Sequence, residues 1–110
     1  MKPGLIVIGL LILIAGYGYT AAQEKVVVVK MEGYHFKPDK ITIEPGTTVE
    51  WINTDKKAHT VTDDHDSWDS GNLKPGETFS RRYDDQGTFK YYCIPHREAQ
   101  MTGTIVVKQK

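Results

Sequence analysis

The apolar positions of this chain fall into two unlike regimes. From Pro3 to Gln23 no residue is charged, and Leu5–Ala15 holds nine aliphatic residues in eleven. Beyond Gln23 the apolar residues come in short β-branched and aromatic runs broken by Gly, Pro, Asn and Asp, and no run keeps a helical period. The runs predict strands over Lys25–Met31, Lys40–Glu44, Thr48–Ile52, His59–Thr62, Glu77–Tyr83, Thr88–Cys93 and Thr104–Lys108. Turn signals separate them at Glu44-Pro45-Gly46, Asn53-Thr54-Asp55, Lys74-Pro75-Gly76 and Asp85-Gln86-Gly87. Within Thr88–Tyr92, Phe89 and Tyr91 alternate with Lys90 and Tyr92, the period of a strand with two unlike faces. Seven or so short strands at turn-marked spacing predict an all-β sandwich. The acidic, serine-rich stretch Asp63–Asn72 reads as a solvated loop whose Trp68 folds back onto the sandwich.

The apolar head, Met1–Ala22, reads as a targeting segment. Lys2 supplies a positive start, and Thr20-Ala21-Ala22 offers small residues at a cleavage point, as in a secretory signal peptide. The uncharged length also suits an N-terminal helix that stays in the bilayer as an anchor, since about 20 residues span the hydrocarbon core. Both readings export residues 23–110 to the periplasm or the outer face of the cytoplasmic membrane, and the second adds a membrane tether through residues 3–22.

Composition sharpens this division. A chain of 110 residues has room for one folded domain. Fourteen Lys+Arg against fourteen Asp+Glu leave no net charge, which argues against a nucleic-acid binder with its clustered basic face. The single cysteine, Cys93, excludes an intrachain disulfide framework and any multi-cysteine zinc or iron–sulfur site. A small body without disulfides has a bound metal as one route to extra stability.

The chemistry-bearing feature is Cys93-Ile94-Pro95-His96 followed by Met101, with His59 far upstream. A thiolate, two imidazoles and a thioether are the donors of a mononuclear blue-copper electron-transfer site. The soft sulfur donors favour Cu(I) and the imidazoles also suit Cu(II), so a site built from both serves a one-electron couple. One strand end and one short loop carry Cys93, His96 and Met101, and His59 closes the set from elsewhere in the chain.

At these residues the sequence resembles the cupredoxins, the type 1 blue copper proteins, and among them the plastocyanin- and pseudoazurin-like members. The likeness includes Phe36-Lys37-Pro38, Pro45-Gly46, Val49-Glu50-Trp51-Ile52-Asn53, His59-Thr60-Val61, Asp69-Ser70-Gly71, Pro75-Gly76-Glu77 and Tyr91-Tyr92-Cys93 through Met101. The resemblance implies a Greek-key β-sandwich over residues 23–110 with one copper at one end. It implies ligation by His59 and His96 through Nδ1, by the Cys93 thiolate and by Met101 as the axial ligand. One departure stands out: Thr60 follows the first histidine, where plastocyanin-like chains often carry an Asn that ties the two ligand loops together. A hydroxyl at Thr60 is expected to make a similar hydrogen bond.

Other residues have plainer readings. His35 is read as structural, Met31 as core and Arg81-Arg82 as a solvated strand face. His65, among Asp63, Asp64 and Asp66, is read as part of the solvated acidic loop rather than a hard-metal site. Tyr92 fits either packing or an electron path beside Cys93. The resulting expectation is a monomeric, exported, non-enzymatic carrier that passes single electrons between a redox donor and acceptor docking transiently near His96. A copper delivery or storage module, and a non-redox domain whose site holds zinc, remain the alternatives.

Overall fold

A computed structural model of the chain describes residues 24–110. The apolar head, with the N-terminal helix expected there, lies outside the described residues, and among those described no helix is long and apolar enough to cross a membrane. The strands are β1 (Val26–Glu32), β2 (His35–Lys37), β3 (Lys40–Ile43), β4 (Thr47–Asn53), β5 (Thr62–Asp63), β6 (Thr78–Tyr83), β7 (Gly87–Tyr92) and β8 (Thr102–Val107). A 3₁₀ turn over Ile94–Ala99 joins the last two.

The strands form two mixed four-stranded sheets, ordered β2-β1-β4-β6 and β3-β8-β7-β5. In each sheet one pair is parallel, β1 with β4 and β3 with β8, and the other pairs are antiparallel. A parallel pair cannot close through a tight hairpin, so the chain crosses between the sheets repeatedly. Val29, Met31, Val49 and Trp51 from the first sheet face Tyr91, Ile105 and Val107 from the second, and all are buried. Alternation produces this core: in β1 the inward Val29 and Met31 are interleaved with exposed Val28 and Lys30. Trp51 lies at its centre, edge-on to Tyr91 with ring centroids 5.3 Å apart.

The acidic loop does return Trp68 to the sandwich, where it stacks on Phe79 at 5.7 Å with the Arg81 guanidinium 5.0 Å from its ring. Arg81 is therefore a packed cation rather than a wholly solvated one, whereas Arg82 is exposed and pairs with Asp84. Met31 is fully buried, as expected.

Two elements differ from the pattern in the sequence. The hairpin partner β2 is a strand the apolar runs do not announce, because only Phe36 among its three residues is buried. The stretch His59–Thr62 is not a continuous strand. His59 exchanges backbone hydrogen bonds with Leu73 in an isolated bridge, and the ladder resumes only at Thr62–Asp63. Its β-branched composition is that of a strand, but its backbone groups are taken by loop residues, and this frees His59 to turn inward.

Candidate metal centre

Three chain segments meet at one end of the sandwich. The turn after β4 carries Asn53 to His59, the end of β7 carries Cys93, and the 3₁₀ turn carries His96. Asn53 organises the first. Its buried side chain donates from Nδ2 to the carbonyls of Lys57 and Leu73, at 2.7 and 2.9 Å, and accepts the Asp55 N–H on Oδ1 at 2.8 Å. Both amide hydrogens and the oxygen are engaged, so this one side chain holds the turn and the Leu73 strap together.

The second and third segments follow from Pro95 and Gln100. Pro95 stands at the start of the 3₁₀ turn, where no N–H is needed, and the His96 N–H donates to the Cys93 carbonyl at 3.2 Å. The turn kinks at His96 and ends with Gln100 in the left-handed region at φ 61°. That residue reverses the chain into β8, so that the Cys93 N–H reaches the Met101 carbonyl at 3.0 Å. Met101 itself is fully buried.

The candidate donors converge. Sγ of Cys93 lies 3.6 Å from Nδ1 of His59 and 3.4 Å from Nδ1 of His96. One donor atom from each of the three residues lies within 4.8 Å of the others. Cys93 and His59 are fully buried, while His96 is half-buried. The outer nitrogen of His59, Nε2, donates to Oδ2 of Asp55 at 2.9 Å. A carboxylate can only accept, so Nε2 carries a proton, and Nδ1 is the ring nitrogen that faces the thiol. The His59 and Lys56 donors hold the Asp55 carboxyl below the usual carboxylate range, against a smaller opposing effect of burial.

Thr60 takes the tying role the sequence leaves to it. Its Oγ1 accepts the Ile94 N–H at 2.9 Å, linking the His59 segment to the Cys93–His96 turn, and its own N–H donates to Sγ at 3.4 Å. Because Thr62 Oγ1 donates to Asp69, the Thr60 hydroxyl proton is directed to Thr62, completing a chain of hydroxyls out to the acidic loop.

Burial pushes the Cys93 thiol up, against the pull of the Thr60 and His96 N–H groups. A metal bound there would deprotonate it outright. Burial also pushes the His96 imidazolium down, helped by the His59 and Lys57 charges and opposed by Asp55. A neutral ring with a free Nδ1 is what ligation requires.

The comparisons with known proteins bear directly on this geometry. The family model described as copper binding proteins, plastocyanin/azurin family, matches residues 23–108. The chain belongs to that family. This cupredoxin is 38% identical to a plastocyanin of Scenedesmus fuscus over 84 residues, covering 66% of the chain and 86% of the relative. It is 37% identical to a halocyanin of Natronomonas pharaonis over 94 residues, covering 78% of the chain but 58% of the relative. Among solved structures, a reduced mutant of amicyanin superposes with a TM-score of 0.70 at 23% identity, covering 79% of this chain and 86% of that one. A purple cupredoxin from Nitrosopumilus maritimus gives 0.68 at 24%, covering 74% and 99%. These structural likenesses establish the fold.

The residues present fit copper. Two imidazole nitrogens and a sulfur, preset within a few ångströms with two of the three residues fully buried, are the donor types for a metal that cycles between soft and borderline states. His59, Cys93 and His96 are thus positioned as a single copper site in this cupredoxin. His35 and His65, both exposed, are not part of the cluster.

Asp55 is the residue that sequence reasoning missed. It stands in a turn signal, Asn53-Thr54-Asp55, where an acidic residue needs no further explanation, and its four-residue offset from His59 carries meaning only once the turn brings the carboxylate under the ring. Tyr34 was also not singled out. Gly33, in the left-handed region at φ 65°, turns β1 into β2 so that the Tyr34 ring meets His96 edge-on at 5.0 Å.

Proposed function

We propose that this cupredoxin is an exported carrier of single electrons, with one copper that would be held by Nδ1 of His59, Sγ of Cys93, Nδ1 of His96 and, more weakly, the thioether of Met101. The observation that carries the reading is the preset convergence of the two Nδ1 atoms on Sγ, at 3.6 and 3.4 Å. Copper bound there supplies the one-electron Cu(I)/Cu(II) couple. The chain's own residues keep the donors nearly still: Asn53 fixes the His59 turn, and Thr60 ties the two ligand segments. A site already assembled needs little rearrangement when its charge changes, which suits a carrier better than a delivery or storage module built to release its metal.

His96 is the half-exposed member of the set, flanked by Tyr34 and Ile94, which are 44% and 49% exposed. This face is where a redox donor or acceptor would dock. Electron-transfer encounters of this kind bury less than about 1,200 Å² and dissociate readily. With no net charge overall, steering falls to local groups such as Lys57, which donates to the Tyr34 hydroxyl, and Arg97, next to His96 in the 3₁₀ turn. Residues 1–22 act as the signal peptide or anchor of the folded body, placing it outside the cytoplasm as a monomer. No substrate is transformed.

The test is to load the full chain with Cu(II) and record its visible spectrum. An intense thiolate-to-copper band that disappears in Cys93→Ser is expected, and a colourless loaded wild type overturns the reading. A Cu(I) affinity far above that for Cu(II), with slow electron self-exchange, would favour delivery instead.

A further inference from the structure

The two histidines of the site are held differently. His59 is fully buried, and its outer N–H is taken by a carboxylate. His96 is half-buried, and among the described residues no carboxylate meets its outer nitrogen; an aromatic edge lies against its ring instead. The Asp55 carboxylate is moreover not a loose surface group. Its Oδ2 accepts the Gly33 N–H at 3.1 Å as well as His59, its Oδ1 accepts the Lys56 N–H at 2.7 Å, and its side chain is only 20% exposed. Its own N–H is fixed on Asn53. Two backbone donors, one from the β1–β2 turn and one from the turn that bears His59, thus hold one negative charge at the back of one buried imidazole.

We propose that Asp55 is a positioning residue of the copper site: by accepting the Nε2–H of His59 it fixes Nδ1 as the metal-facing donor and strengthens that donor toward the oxidised metal, so that it holds the reduction potential down. The proposal rests on the copper reading above. The physical ground is general. A carboxylate behind a ligating imidazole fixes the tautomer, orients the ring and raises ligand basicity. One imidazole width away, in a pocket of low dielectric, its charge stabilises a doubly charged ion more than a singly charged one. The turn Asn53–His59 exists in a form that delivers this charge, and the β1–β2 turn contributes Gly33 to keep it there.

The test uses the full chain, metal-free and copper-loaded. In the metal-free wild type, ¹⁵N NMR should find the His59 ring protonated at Nε2; a bare Nε2 overturns the proposal without any copper measurement. In the loaded protein, Asp55→Asn removes the charge and keeps an acceptor oxygen, while Asp55→Ala removes both. The ratio of Cu(II) to Cu(I) affinity should fall about tenfold in Asp55→Asn, a rise in potential of ~59 mV for one electron, and further in Asp55→Ala. Glu98→Gln controls for loss of one negative charge from the neighbouring turn without touching His59. If Asp55→Asn shifts the potential no more than Glu98→Gln, the proposal fails. Should Asp55→Ala not fold, the Asn variant and the wild-type NMR still decide. Failure of the copper reading itself is separate, since it appears as a wild type without the thiolate band.

Discussion

Thr60 illustrates how a single hydroxyl carries two loops. Replacing it with Val keeps the shape and the buried methyl but strands the Ile94 N–H and breaks the relay through Thr62 to Asp69. Leaving a backbone donor without its partner costs about 1–3 kcal/mol. Thermal unfolding of the metal-free Thr60→Val variant should show that loss, and Thr60→Ser should recover most of it; equal destabilisation by both would point to packing instead. Asp63 gives a pH-dependent counterpart. Burial opposes its charged form, but the Ser67 hydroxyl and the Ser67 and His65 N–H groups together outweigh it, and the carboxyl sits below its usual 3.8. A folded-state value below the unfolded one means the contribution is complete above about pH 4 and is lost as pH falls through the folded value. Urea denaturation should therefore show Asp63→Asn less stable than wild type at pH 7, with the gap closing below pH 4. A gap independent of pH would contradict the ionised role.

At the scale of elements, β7 and β8 show how cross-strand pairs settle what composition leaves open. Tyr91 stands directly opposite Gly103 in the register of this pair. A Cβ at residue 103 would overlap the Tyr91 phenol, so glycine is required there by the space the ring occupies rather than by backbone conformation. Gly103→Ala should cost about 1–3 kcal/mol through overpacking, lowering the melting temperature by roughly 4–8 °C per kcal/mol in a domain of this size. An unchanged melting temperature would show that the ring moves aside freely. The strands β1, β3, β4, β6, β7 and β8 were legible because each keeps a period of two or a β-branched run. β2 and β5 were not, since strands of three and two residues hold too few side chains to show a period. The His59–Thr62 stretch misled for a related reason: its composition is that of a strand, while its backbone partners lie in a distant loop.

For the whole molecule, the two sheets make a frame whose open end is closed by loops bearing the metal donors. A metal that binds only the folded state stabilises it by mass action, by about 4.1 kcal/mol at a thousandfold excess over the dissociation constant. Copper addition should therefore raise the unfolding temperature of the wild type, and Cys93→Ser should lose most of that rise; an equal rise in both would place the metal elsewhere. The thin core, with 28 hydrophobic residues among the 88 beyond Ala22, makes such help from a ligand consequential. The sequence by itself determined the strand-rich body, the absence of an intrachain disulfide and the copper-suited pair Cys93 and His96, because these follow from local periodicity, a count of thiols and a short spacing along one loop. Only the tertiary structure decided that Thr60 clasps the two ligand segments, that Tyr34 meets His96, and that Asp55 sits behind His59. Those relations join segments that lie far apart in the chain, or depend on how a turn is wound, and spacing alone does not encode either.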